Sequence, residues 1–185
     1  MLRLKEKYQK QIIDQLKTEF GYKNNLAVPK VEKVVVNVGL GKVMEDEKAK
    51  ENIMKDLTMI CGQKPAWRQA KKAIAGFKIR QGSIVGLAVT LRGQRMYDFL
   101  DRLIQIALPR GRDFRGLPLK SIDKNGNLSI GLKEQIIFPE ISAEQAKNIF
   151  GLEICIKTTA QNKKEAIRLF TLMGFPLQKS KKSQR

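Results

Sequence analysis

The chain contains no histidine in 185 residues. That absence removes the commonest general base, the commonest metal ligand and the usual activator of a serine or cysteine nucleophile. Cysteine is almost as scarce. Cys61 and Cys155 stand far apart, each flanked by apolar residues and outside any CxxC pattern. Two reduced, buried thiols are expected in preference to a disulfide or a nucleophile. Carboxylate or lysine chemistry would need paired acids at strand ends beside glycine turns, and the sequence offers no such pair. No apolar run approaches the ~20 residues of a spanning helix, and the opening MLRLKEKYQKQ lacks the apolar core of a signal peptide. A cytoplasmic, non-catalytic protein without metal, cofactor, small-molecule substrate or membrane partner is expected.

Negative charge is also missing where it matters most. Between Leu57 and Tyr97 there is no Asp or Glu, although Lys64, Arg68, Lys71, Lys72, Lys78, Arg80, Arg92 and Arg95 all fall in that span. The cations are interleaved with Trp67, Phe77, loop glycines and β-branched runs. This mixture fits a paired-strand surface presented to RNA, whose phosphates attract Lys and Arg and whose exposed bases stack on aromatic or guanidinium planes. On this stretch alone, a sheet with a solvated basic face is the alternative. The whole chain points the same way: 36 Lys and Arg against 18 Asp and Glu give a net charge of +18, well beyond what solubility requires.

Local patterning predicts an α+β fold. Leu4, Tyr8, Ile12, Leu16 and Phe20 recur at helical spacing before Gly21, and VEKVVVNVGLG then reads as a strand with apolar residues crowded enough to be buried on both faces. Glu45, Asp46 and Glu47 suit the first turn of a second helix, with Ala49, Ile53, Leu57 and Ile60 inward and Gly62 at its end. A dinucleotide or phosphate loop at Gly39-Leu40-Gly41 is disfavoured, because the residues that follow, KVMEDE, place acids where phosphate would sit.

The acid-free block predicts a strand over Ala66–Ala73, a glycine-bearing loop from Ala75 to Gly82, and a strand over Ile84–Leu91 that turns Thr90 and Arg92 outward. A helix from Gln94 to about Leu108, ended by Pro109, follows. Arg110, Arg112 and Arg115 surround Phe114 in a loop suited either to phosphate clamping and base stacking or simply to solvent. Asn125-Gly126 signals a hairpin. Glu134, Glu140 and Glu144, opposed only by Lys147, form an acidic island, either a face for a basic protein or the solvated start of a helix at Ser142. Leu152, Ile154 and Ile156 mark a strand, and Asn162 a cap for a last helix burying Ala166, Leu169, Phe170 and Met173. The result is one domain over residues 1–178 with a βαββαβ core, a mainly antiparallel sheet, helices on one face and the other face free for RNA. The basic tail over 179–185 is expected to be disordered unless RNA orders it.

Four segments, PKVEKVVVNVGLG (Pro29–Gly41), AIAGFKIRQGSIVGLAVTLRG (Ala73–Gly93), LPRGRDFRGL (Leu108–Leu117) and LFTLMGFP (Leu169–Pro176), closely resemble the bacterial-type large-subunit ribosomal protein number five, a family that binds 5S rRNA. The resemblance runs from about residue 2 to 178 in the family's order and spacing. It implies a place in the central protuberance beside other 5S-binding proteins, with Asn37, Gln63 and Thr90 on 5S rRNA, and Lys64, Arg68 and Arg92 suit the surrounding phosphates. It also implies that the loop Ala75–Ser83 reaches P-site tRNA, through Lys78 and Arg80 with Phe77, Lys71 and Lys72 nearby. Finally, it implies a bridge from Glu134–Phe150 to a basic protein of the small-subunit head. A free-standing RNA- or DNA-binding regulator is the alternative that shares these electrostatics.

Overall fold

The computed structural model describes residues 3–44, 46–77, 79–112, 114–142 and 148–178. Helix α1 runs through Leu4–Lys7, a π-turn at Tyr8–Ile12 and Ile13–Phe20. Its expected stripe is the buried one, with Leu4, Tyr8, Ile12 and Leu16 in the core. The Tyr8 hydroxyl donates to the Pro29 carbonyl at 3.0 Å, tying α1 to the approach of strand β1 (Val31–Gly39). Helix α2 (Glu47–Cys61) begins at Asp46, whose carboxylate accepts from the Ala49 N–H at 3.0 Å, and it buries Ala49, Ile53, Leu57 and Ile60.

Strand β2 (Ala66–Gln69) stops well short of the expected Ala73, whereas β3 (Ile84–Leu91) has the expected limits. Helix α3 comprises Gly93–Arg102, a second π-turn at Leu103–Ala107, and Leu108–Arg110. Pro109 therefore lies inside the last turn and does not end the helix. The π-turn just before it already offsets the hydrogen-bond ladder, so the missing proline N–H breaks nothing. Strands β4 (Leu128–Leu132) and β5 (Leu152–Thr158) and helix α4 (Lys163–Met173) complete the chain.

The strands form one five-stranded sheet in the order β2-β3-β1-β5-β4, antiparallel throughout. Val34, Val36 and Val38 of β1 bury beside Leu87, Val89 and Leu91 of β3 and Ile154 and Ile156 of β5. The helices supply the facing half of this core, including Leu16, Leu57, Phe99 and Phe170. Stacking of Phe99 on Phe138, with centroids 5.9 Å apart, brings in the segment after β4.

Four local expectations change. Strand β1 is buried on one face only, since Asn37 is exposed and Val35 half-buried; its run of valines conceals an ordinary alternation. Asn125-Gly126 makes a tight turn, but among the described residues backbone pairing across it is limited to the Ile122–Leu128 bridge and the Asp123 N–H on the Asn127 carbonyl at 2.9 Å, and β4 pairs with β5 instead. That turn is packed inward. A Cβ on Gly126 would lie 2.9 Å from the Ala160 methyl, and the Gly126 carbonyl accepts from the Thr158 hydroxyl at 2.7 Å. At α4, Asn162 makes no side-chain cap; the Glu165 carboxylate reaches back to the Gln161 N–H at 3.0 Å. Both cysteines are free, Cys61 buried as expected, but Cys155 is half-buried on the uncovered side of the sheet. The acids and caps expected at Glu45 and at Ser142–Gln145 fall on residues outside those described, Ser142 excepted, as does the tail over 179–185.

The Tyr8 bond offers a direct check. Tyr8→Phe is expected to lower unfolding free energy in urea by about 0.5–1.5 kcal/mol, the net worth of one hydrogen bond. Burial, and then the neighbouring Tyr97, push the Tyr8 phenol above its ordinary value of 10.0. Its contribution is therefore complete below that pH and is lost above it, where the unfolded chain releases a proton the folded chain keeps. Wild-type stability should fall more steeply above pH 10 than that of Tyr8→Phe.

Candidate nucleic-acid interface

Alternation places Lys33, Val35, Asn37 and Gly39 of β1 on the face turned away from the helices. Register then fixes their neighbours. Asn37 lies between Ala88 of β3 and Glu153 of β5, and Val35 lies between Thr90 and Cys155. Ala66 and Arg68 of β2 extend the face past Ala88 and Gly86, while Ser129 and Gly131 of β4 extend it past Cys155 and Glu153. The centre is low, because Gly39, Gly86, Ala88, Ala66 and Gly131 carry little or no side chain. Gly86 is confined to that size: a Cβ there would meet the Val38 carbonyl oxygen at 2.9 Å.

Three residues singled out from sequence meet on this face. Gln63, in the connection from α2 to β2, donates its amide to the Thr90 backbone carbonyl at 3.4 Å. Thr90 pairs with Val35, next but one to Asn37 along β1. Asn37, Gln63 and Thr90 thus lie together as uncharged donors and acceptors, with exposed Lys64, Arg68 and Arg92 around them. At the end of β1, Glu32 is an extra residue in the ladder opposite Lys157 and pairs with its ammonium at 2.8 Å. That hydrogen bond from Lys157, with the Lys157, Lys33 and Arg92 charges, holds the Glu32 carboxyl below its ordinary range. Lys33, Arg92 and Lys157 therefore form one basic corner of the face.

The loop between β2 and β3 is a separate structure. Ala70 and Ser83 close its base through the Ala70 N–H and Ser83 carbonyl at 2.9 Å, and Ile74 pairs with Ile79 farther out. Lys71, Lys72 and Arg80 are exposed, and Phe77 is 73% exposed at the tip. Lys78 is outside the described residues. Neither this loop nor the sheet face near it carries an acid.

Other candidates do not join the face. Arg110, Arg112 and Arg115 are exposed at the end of α3 and in the loop beyond, but Phe114 packs partly against the core, so its ring is not free on both sides. Glu134 is exposed. Glu140 is committed to the fold, pairing at 3.0 Å with Arg102, which also donates to the Ile60 carbonyl at 2.9 Å. Glu144 is outside the described residues. Asp46 fills the N-terminus of α2, the position a phosphate-binding loop after Gly39-Leu40-Gly41 would have needed. Among the described residues, no three potential ligands converge on a metal site, and no helix is long and apolar enough to cross a membrane.

Sequence reasoning passed over Lys33, Ser129, Glu153, Cys155 and Lys157 on this same face. The signal was present in β5, where Leu152, Ile154 and Ile156 occupy one side and Glu153, Cys155 and Lys157 necessarily the other.

Comparison with known proteins agrees with this architecture. Residues 24–80 match the family model described as Ribosomal protein L5, and residues 84–177 match the separate model of that ribosomal family's C-terminus. The large ribosomal subunit protein uL5 of Thermoanaerobacter sp. (strain X514) is 52% identical over 179 residues, covering 97% of this chain and all of that protein. Its namesake from Carboxydothermus hydrogenoformans is 50% identical over 176 residues, covering 95% of this chain and 98% of that protein. A full-length match of this kind, on a fold whose uncovered sheet face gathers amides, a hydroxyl and cations, means that the chain belongs to the ribosomal protein L5 family.

Proposed function

We propose that the open sheet face binds 5S rRNA and helps hold it in the central protuberance of the large ribosomal subunit, beside other 5S-binding proteins. As a uL5 family member, the chain is a structural constituent of that subunit in the cytoplasm and not an enzyme. The observation that carries the RNA reading is the meeting of Asn37, Gln63 and Thr90 on an open sheet face ringed by Lys33, Lys64, Arg68, Arg92 and Lys157. Amide and hydroxyl groups suit base edges and 2′-hydroxyls; the surrounding cations suit phosphates.

Two further contacts belong to the proposal. The β2–β3 loop, with Lys71, Lys72, Phe77, Lys78 and Arg80, contacts P-site tRNA; its self-closed base and acid-free surface favour this. The region around Glu134 meets a basic protein of the small-subunit head. Glu140 contributes there through Arg102, by holding the segment in place, more than as a free charge.

The test separates the two RNA sites. In binding to isolated 5S rRNA against excess tRNA, replacing Asn37, Gln63 or Thr90 by Ala is expected to weaken affinity by roughly 1–3 kcal/mol each, where the lost partner stays buried. Replacing Lys78 or Arg80 should leave 5S affinity nearly unchanged and reduce tRNA contact in assembled ribosomes. Equal losses from both sets would sink the division of labour.

Thiol chemistry provides an independent readout. Burial pushes the Cys61 thiol up to about 12, only partly offset by the Arg102 charge, so Cys61 should resist alkylation in the folded chain. Cys155 should react, and bound 5S rRNA should slow that reaction. Unchanged reactivity of Cys155 in the complex would place the RNA elsewhere.

A further inference from the structure

The open face carries one acid that does not fit a surface built only to attract phosphate. Glu153 is exposed near the start of β5, and none of the ion pairs formed among the described residues includes it. An unpartnered carboxylate repels an RNA backbone, so in contact with RNA it must gain donors or weaken binding. Its surroundings are specific. Glu153 is the direct cross-strand partner of Asn37, which sets the two side chains roughly 5 Å apart at Cβ. Ala88 flanks Asn37 on one side and Gly131 flanks Glu153 on the other, leaving low walls around the pair. The next row supplies half-buried Val35 and Cys155 as an apolar floor.

We infer that Glu153 and Asn37 together read the Watson–Crick edge of an unpaired guanine, an inference resting on the RNA-binding reading above. A carboxylate only accepts, and it has two oxygens side by side. Guanine is the one base whose Watson–Crick edge offers two adjacent donors, N1–H and N2–H. Adenine and cytosine offer a single amino group there, and uracil a single imino N–H. On guanine the third group of that edge is the O6 acceptor, which the Asn37 amide N–H is placed to meet. Bases splayed from single-stranded loops present this edge, while those in a duplex do not. Arg68 and the basic corner of Lys33, Arg92 and Lys157 hold the flanking phosphates, offsetting the repulsion from Glu153.

The experiment compares the wild-type chain with Glu153→Gln in binding to isolated 5S rRNA, with kethoxal modification of guanines in each complex. The wild type is expected to shield an unpaired guanine. Glu153→Gln, which removes one acceptor and the charge, should expose that guanine and weaken binding roughly 10- to 100-fold. Since the side chain is exposed, an unchanged melting temperature will separate lost contact from lost fold. A passive charge predicts the opposite sign: tighter binding by Glu153→Gln with the same guanine pattern, which would overturn the inference. So would a loss confined to Mg²⁺-containing buffer, which would make Glu153 the anchor of a bridging ion. If wild type fails to bind 5S rRNA, both readings fall; if it binds and Glu153→Gln binds equally well, only this one does.

Discussion

Burial of one face of the sheet, and one only, is the constraint on which the remaining structure depends. Val34, Val36 and Val38 pair with Leu91, Val89 and Leu87, and Val34 and Val36 also with Ile156 and Ile154. Each such side chain contributes about 1.5–3 kcal/mol by leaving water. Because successive residues alternate, a slip of β1 by one position would send these valines into solvent and carry Lys33 and Asn37 into the core, and the same slip of β3 or β5 would bury Thr90 or Glu153. Unpaired amides and a carboxylate there would cost several kcal/mol more. Core register and the composition of the open face are thus a single fact. Anything that binds this face meets a row of side chains fixed by packing on its far side.

Charge is divided by the same logic. Many acids are consumed by the fold: Asp46 and Glu165 cap α2 and α4, Asp123 closes the turn before β4, Glu140 holds Arg102, Glu19 holds Arg168 and Glu32 holds Lys157. A smaller share of the 36 cations is committed among the described residues: Arg102, Lys157 and Arg168 in ion pairs, Lys5 and Lys163 in hydrogen bonds. The net charge of +18 therefore understates how strongly the outward surface favours a polyanion. Arg102 is the instructive exception. Its guanidinium joins α2 through the Ile60 carbonyl to the segment bearing Glu140, and so works as a fastener between elements.

The architecture was largely legible because periodicity reports burial, and burial decides these elements. The stripes of α1, α2 and α3 and the alternation of β3 needed no tertiary information. What escaped depended on it. The valine run of β1 hid Asn37's exposed side, since Val35 is apolar yet half-buried on the open face. Pro109 reads as a helix stop unless the π-turn before it is known. Asn162 has the right chemistry for a cap, but its amide donates to the Glu165 carboxylate at 3.3 Å instead. For the site, the cations of the acid-free block announced themselves by composition. Glu153, Cys155 and Lys157 did not, because only the β1–β5 register sets them beside Asn37, Val35 and Lys33 respectively.

An uncovered sheet face raises the opposite problem of staying monomeric before a partner arrives. Exposed strands with apolar faces template association, and short, charged or bulged edges prevent it. Here β2 is only four residues long and carries Arg68, and the β2–β3 ladder skips a residue between Arg68 and Gln69. At the other edge β4 is only five residues long, and inside the sheet Glu32 interrupts the β1–β5 ladder and draws Lys157 into an ion pair. Between these ends the face is kept polar or small, Val35 being its one large apolar side chain on β1. Two copies approaching face to face would bring Arg68, Lys33 and Arg92 against their own like charges, and Gly86 and Ala88 would offer little apolar area in return. The features that make the face receptive to RNA, small central side chains and positive charge, are therefore the same ones that make it a poor partner for itself.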